Sequence, residues 1–441
     1  MEKKMAYIKK KKDNAYLITV SCGRDSMDKK ITKSVTFRPE LLTAKGHPKT
    51  EKTIEREVQR FADEFEKKIL TGSYRDGATL TFEAYRDRYL TEYAQLYQQP
   101  LTLQNTRNYS KAFVHDFGFM TLESLTPMFL QEYANKMCSA KKANGQPGTV
   151  APSTVKRKLA VLSAMLSQAV RWNLIADNPM RNVQILTKEA PKKAAAKCFS
   201  QTEAEIFLSV LDNPLLYRCE KHTRTDATGN VRQIQEYQTE HTISQQLKLF
   251  FYLAMFTGCR RSELLALEWS DIDTSAAVIH ITKSVCRVDG AVIVKPTKTK
   301  GSVRDIAVPA SVMAIVKQWK LSQKRYRLSI GSKWCGDDFV FIQWNGARMG
   351  LETPLRAFHR IIDNYNANRS ADAPELPKIP LHGLRHTAAT LLIGHGVDIR
   401  TVSGRLGHAN TSTTLNIYAE YLDELDRSAA DKLEDLLLRK V

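Results

Sequence analysis

Apolar and polar positions alternate over three short stretches near the N-terminus, AYIKKKK (6–12), AYLITVSC (15–22) and ITKSVTFR (31–38). Each is rich in β-forming residues and is set off by polar turns such as Lys12-Asp13-Asn14, a pattern that predicts three strands. The period then changes. Ile54, Val58, Phe61, Phe65 and Ile69 recur every three or four residues over 50–70, giving one apolar stripe on a helix. A three-stranded sheet can cover that stripe, so residues 1–75 read as a small sheet-plus-helix domain. Residues 76–183 keep helical spacing throughout. FEAYRDRYLTEYAQLY (82–97) is amphipathic, and Thr126-Pro127 is an N-cap followed by proline at the first helical position. Ser153 is read as the cap of a third helix, with Val155, Leu159, Leu162, Leu166 and Val170 on one face. This block ends at Asp177-Asn178-Pro179, and residues 184–198 (QILTKEAPKKAAAKC), which have no apolar stripe, read as a linker.

From Phe199 to the end (199–441) helix and strand patterns mix. The polar stretch 218–246 reads as a surface excursion before an apolar helix near 247–256. Gly258 stops that helix, and SELLALEW is expected to run helically after it. VIHI (278–281), VIV (292–294) after Asp289-Gly290, and DIAVP (305–309) predict a small antiparallel sheet, with FVFIQW (339–344) as a further strand. Leu422, Leu425, Ala429, Leu433, Leu436 and Leu437 predict an amphipathic helix over 421–439. The fold class is therefore multidomain α+β: a sheet-plus-helix domain, an all-helical domain, and a mixed, mainly helical domain with a small antiparallel sheet.

Length and composition fit this division. At about 100–200 residues per domain, 441 residues make two to four, and 43% hydrophobic with 26% charged residues is a globular balance. The longest wholly apolar run, Leu249–Phe256, is eight residues, against the ~20 a membrane helix needs. The basic N-terminus has no apolar signal-peptide core. Seven cysteines, none closer than 21 residues to the next, exclude CxxC zinc pairs and argue against a disulfide framework. A cytoplasmic location, with the thiols reduced, is expected. Charge changes the picture more. The net charge is +19, with +8 of it in residues 1–75, and such a field attracts nucleic acid. The run Lys9, Lys10, Lys11, Lys12 suits a strand in a DNA groove, and equally a solvated edge that blocks strand pairing. Lys156, Arg157 and Lys158, opposite the apolar face of their helix, suit phosphate contacts, and equally plain solvation.

Chemistry concentrates in four strings. TGCRRSELLALEWSDID (257–273) sets Arg260 three residues before Glu263, and a guanidinium held by a carboxylate is a fixed phosphate clamp. KPTKTKGSVRDIAVP (295–309) puts Lys298 and Lys300 before a Gly-Ser turn, where a lysine can reach into a site from one side. LHGLRHTAATLLIGHG (381–396) places His382 and Arg385 on one helical face, with His386 on another azimuth. LGHANTSTTLNIYAEYL (406–422) supplies His408 and, ten residues later, Tyr418. Each string alone has an ordinary reading as a surface pair, a basic hairpin or a core tyrosine. No carboxylate cluster suits magnesium and no GxxxxGK[ST] is present, so no metal and no cofactor is called for. The remaining chemistry is attack on a phosphodiester by a side-chain nucleophile.

The four strings in this order resemble the tyrosine recombinases, the integrases of phages and conjugative transposons, over about residues 77–441. The N-terminal sheet-plus-helix looks like the arm-type DNA-binding domain of such integrases, 76–183 like the core-binding domain and 199–441 like the catalytic domain. The resemblance implies that Arg260, Lys298, His382, Arg385 and His408 form the catalytic set, that Glu263 supports it, and that Tyr418 is the nucleophile, with Tyr421 as fallback. Cys259 stands where the family often has leucine or methionine, and is expected to be buried. The implied reaction is cutting and rejoining of double-stranded DNA through a 3′-phosphotyrosyl bond, in a tetrameric synapse, at core-type and arm-type sites, with room for a directionality factor. A type IB topoisomerase, with similar chemistry, and a catalytically silent architectural DNA binder are the rival readings.

Overall fold

The three N-terminal stretches form β1 (Tyr7–Lys10), β2 (Tyr16–Arg24) and β3 (Lys30–Phe37), an antiparallel sheet of order β1-β2-β3. Alternation along β2 turns Tyr16, Ile18 and Val20 to one face, where they are buried with Val58, Ala62 and Phe65 of α1 (Glu51–Leu70). Ile8, Val35 and Phe37 add to this core, and the Phe37 and Phe61 rings stack at 4.3 Å. The other sheet face carries Tyr7, Lys9, Thr19, Ser34 and Thr36, with the Thr19 and Ser34 hydroxyls 2.9 Å apart. This computed structural model describes residues 6–11, 14–24, 29–42, 47–70, 79–141, 148–185, 198–219, 222–225, 231–234, 237–297 and 302–407. The chain divides into two compact units, Met1–Lys188 and Glu189–Val441.

The rest of the first unit is helical: α2 (Phe82–Tyr89), a π turn (Leu90–Ala94), α3 (Gln95–Tyr97), α4 (Pro100–Phe117), α5 (Pro127–Ser139) and α6 (Pro152–Arg171). The stretch 82–97, expected as one helix, is thus broken by a π turn that keeps Leu90 and Ala94 buried. Thr126 caps α5 by accepting the Phe129 N–H at 3.2 Å, as its sequence suggests. Ser153 does not cap α6. Pro152 already occupies the first turn, where its fixed φ suits the helix and its missing N–H costs nothing, so the cap position falls on Ala151. Val155, Leu159, Leu162 and Leu166 are buried against Phe82, Tyr85, Phe113 and Phe117. Lys156 and Arg157 are exposed and Lys158 half-buried.

The second unit begins with α7 (Gln201–Asp212), closed at its start by a reciprocal Ser200–Glu203 capping box. The polar excursion that follows is a pair of antiparallel ladders: β4 (Leu215–Cys219), β5 (His222–Thr225), β6 (Val231–Ile234) and β7 (Tyr237–His241), pairing β4 with β7 and β5 with β6. The strands are only four or five residues long, and β5 and β7 are mostly polar in sequence, so they do not stand out. α8 (Gln245–Thr257) is the buried centre of the unit, with Phe250 and Phe251 packed among Phe207, Phe341 and Phe358. It stops at Gly258, whose φ of 63° is left-handed.

After Gly258 the helix α9 (Arg261–Leu264) lasts four residues, not through Trp269 as expected. The backbone leaves it to pair instead: Val340 N–H donates to Leu267 C=O at 3.1 Å and Trp269 N–H to Asp338 C=O at 2.9 Å. The partner segment 339–344 makes only isolated bridges, Glu268–Phe339 and Ile342–Arg348, and is not the regular strand its composition suggested. β8 (Ile272–Asp273) and β9 (Val278–Ile281) come next, then β10 (Lys283–Val288), β11 (Ala291–Pro296) and β12 (Arg304–Ala307). The expected single sheet is in fact two: a three-stranded one of order β12-β9-β8, and a separate β10-β11 hairpin turning at Asp289-Gly290. The helices α10 (Ala310–Ile330), α11 (Thr353–Asn368), α12 (Gly383–Gly394) and α13 (Ile399–Leu406) complete the described fold. The helix expected over 421–439 lies outside the described residues.

Candidate active site

The α8–α9 turn, the start of α12, strand β12 and the end of α13 meet around one carboxylate. Glu263 is 3% exposed. Its Oε1 accepts from Arg260 Nη1 at 2.6 Å. Its Oε2 accepts the Arg260 backbone N–H at 2.9 Å and Arg304 Nη2 at 2.9 Å. Burial opposes the Glu263 charge. The hydrogen bond and charge of Arg304, then those of Arg260, outweigh it and hold the carboxyl below the ordinary carboxylate range. Glu263 is therefore an ionised brace between two guanidinium groups rather than a proton donor.

Arg385, in the first turn of α12, is 2% exposed. One nitrogen, Nη1, donates to Gly258 C=O at 2.8 Å, while Nε and Nη2 are buried with no hydrogen-bond partner among the described residues. Burial, then the nearby charge of Arg260, pushes its pKa down. A buried cation with two unpaired donors is costly, and an anion with oxygens to offer would satisfy both. His382 precedes α12, its ring edge-on to that of His386 at 4.8 Å. Burial, then His386, Arg385 and Arg260, lowers the His382 pKa to about 4, so its imidazole is neutral near pH 7. Arg260, His382 and Arg385 line one cavity of about 340 Å³.

Of the sequence-predicted residues, the structure thus brings Arg260, Glu263, His382 and Arg385 together. Arg261 lines the same cavity, but its Nη1 pairs with Glu352 at 3.1 Å. Cys259 is buried, as expected, with its thiol pushed up by burial. Lys298, Lys300, His408, Tyr418 and Tyr421 lie outside the described residues, as does Lys12. The chain leaves β11 just before Lys298 and leaves α13 through Gly407 just before His408. Lys9 lies on the outer face of the N-terminal sheet. Lys10 lies on the inner one, its Nζ 5.8 Å from the Tyr16 ring centre and 3.8 Å from Glu51, and Lys11 is exposed. Sequence reasoning missed Arg304, whose side chain is 7% exposed. The signal was present: Arg304 shares a strand face with Ile306, which is buried.

Two family models match the chain, the phage integrase SAM-like domain over residues 81–185 and the phage integrase family over 227–424. The chain belongs to the phage integrase family of tyrosine recombinases. The recombinase is 26% identical to a XerC-like tyrosine recombinase of Caldanaerobacter subterraneus subsp. tengcongensis, over 99% of this chain and 100% of that one. It is 24% identical to the ICEBs1 integrase of Bacillus subtilis, over 98% and 100%. Its fold matches a solved structure of the Tn1549 transposon integrase bound to transposon right-end DNA, with a TM-score of 0.59, 19% identity, and coverage of 80% of this chain and 99% of that one. The recombinase is a DNA strand-transfer enzyme of site-specific recombination in mobile elements. Among its described residues no helix is long and apolar enough to cross a membrane.

Proposed function

We propose that the cavity holds the scissile phosphate and that Tyr418 attacks it. The observation that carries this reading is Arg385, buried beside Arg260 with two guanidinium nitrogens unpaired among the described residues. Two cations at one phosphate neutralise its charge and favour the pentavalent transition state, where a further charge develops. A free tyrosine has a pKa near 10, so Tyr418 must lose its proton as it attacks. Neutral His382 is the acceptor. Tyr418 Oη bonds to phosphorus, the bond to the 5′-oxygen breaks, and Lys298 gives that oxygen a proton. His408 donates a hydrogen bond to a phosphate oxygen. The product is a 3′-phosphotyrosyl link and a free 5′-hydroxyl. Attack on that link by a 5′-hydroxyl from a second duplex restores the tyrosine and needs no nucleotide cofactor.

In this reading residues 76–183 and 199–441 hold the core-type site, joined by the linker 184–198, with Lys156, Arg157 and Lys158 on phosphates. Residues 1–75 hold an arm-type site. The outer face of the N-terminal sheet, with Lys9 among threonine and serine hydroxyls, supports this role, with Lys11 exposed beyond the end of β1 and Lys12 next to it in sequence. Four protomers form the synapse, and a directionality factor sets its outcome. The test is a nicked suicide substrate that traps the covalent adduct. Wild-type protein should form the adduct and then strand-transfer products, and Tyr418→Phe should bind but form neither. An adduct without strand exchange would point to a topoisomerase. Binding without any adduct would leave a silent DNA binder.

A further inference from the structure

Arg304 joins the α8–α9 turn, the start of β12 and the end of α13, and it does so from behind the cavity, which it does not itself line. Its Nη2 donates to Glu263 Oε2 at 2.9 Å and lies 3.5 Å from Cys259 Sγ. Its Nε donates to Arg405 C=O at 2.7 Å and its Nη1 to Ser302 C=O at 3.1 Å. Arg405 answers from the other side, with Nη2 donating to Phe256 C=O at 2.8 Å and Ala307 C=O at 3.0 Å. Gly407 makes room for this junction. At its φ of 69° a Cβ would lie 2.8 Å from Arg304 Nη1, so a side chain there is both strained and obstructed. Arg260 Nη2 approaches the same Gly407 carbonyl at 3.4 Å.

We propose that Arg304 is a positioning residue for cleavage. One guanidinium fixes the Glu263 brace of Arg260, anchors the start of β12 just after the Lys298 loop, and holds the end of α13 from which the chain runs to His408 and Tyr418. The proposal rests on the recombinase reading above. Its planar fork spans three directions at once, which a lysine cannot do.

The test uses full-length protein with Arg304→Gln, Arg304→Lys, Glu263→Gln and the double variant Glu263→Gln/Arg304→Gln. Core-site binding, melting temperature and single-turnover cleavage of the suicide substrate are measured for each. Arg304→Gln should bind core-site DNA as wild type does and cut it about 100-fold more slowly, the scale of a small misplacement of reacting groups. Arg304→Lys, which keeps a cation against Glu263, should fall between Gln and wild type. It also serves as the reading if the glutamine variant does not fold. The double variant should be no slower than the slower single one, because the two residues act as one unit. On a substrate with a neutral methylphosphonate at the scissile position, the Arg304→Gln deficit should shrink, since Arg260 then has less charge to meet. Multiplied effects in the double variant, a lysine variant as slow as glutamine, or equal deficits on both substrates would each overturn the proposal. A wild-type protein that forms no Tyr418-dependent adduct would instead sink the functional reading.

Discussion

A guanidinium buried to 2% exposure and satisfied through one nitrogen among the described residues makes Arg385 expensive to the free protein. Arg385→Ala should therefore leave thermal stability unchanged or higher, while covalent cleavage falls below detection. A melting curve paired with the adduct assay checks this, and a large loss of stability would speak against the strain. His382 adds a pH signature. Its folded pKa, lowered to about 4 by burial and then by His386, Arg385 and Arg260, lies below the unfolded value of ~6.5. The unfolded chain thus binds the proton first as pH falls, and stability is lost between about 6.5 and about 4. His382→Asn should flatten the melting temperature across that window relative to wild type. Identical slopes for the two proteins would show that His382 titrates normally.

At the scale of elements, the candidate site rests on two left-handed glycines, Gly258 at the end of α8 and Gly407 at the end of α13. Gly258 ends α8 at φ 63°, and a Cβ there would lie 2.4 Å from Leu406 Cδ2 of α13. Gly258→Ala should cost at least the ~1–2 kcal/mol of a left-handed alanine and push α13 away. Gly290→Ala, at φ 85° with open space around it, should cost the strain alone and leave cleavage intact. Equal cleavage rates for the two variants would deny that α8–α13 packing matters to the site. The same contrast explains what could be read from sequence. The α1 stripe, the stop at Gly258 and the pairing of His382 with Arg385 follow from local period and spacing. The early end of α9 and the isolated bridges of 339–344 do not, because long-range pairing of 267–269 with 338–340 decides them. Arg304 was passed over for a different reason: strand alternation with Ile306 puts it on the inner face, but beside Lys298 and Lys300 it reads as one more surface charge.

At the scale of the molecule, the division of labour is testable by removal. Protein lacking residues 1–75 retains a net charge of +11 and every proposed catalytic residue. It should still cut core-site DNA and should lose protection of arm-type sites in footprints. Identical footprints with and without residues 1–75 would refute the arm-binding role. The segment 424–441 should act in assembly, so its deletion should weaken cooperative binding and synapsis more than cleavage by single protomers. Assembly as strong as that of the full-length protein would refute this. The central claim is that Tyr418 becomes joined to DNA, and mass spectrometry of the trapped complex reads it directly. Cleavage after Arg405 and Arg427 releases residues 406–427, a peptide holding both Tyr418 and Tyr421. Fragmentation should place the nucleotide remnant on Tyr418. A remnant on Tyr421, or on no tyrosine of this peptide, would contradict the account.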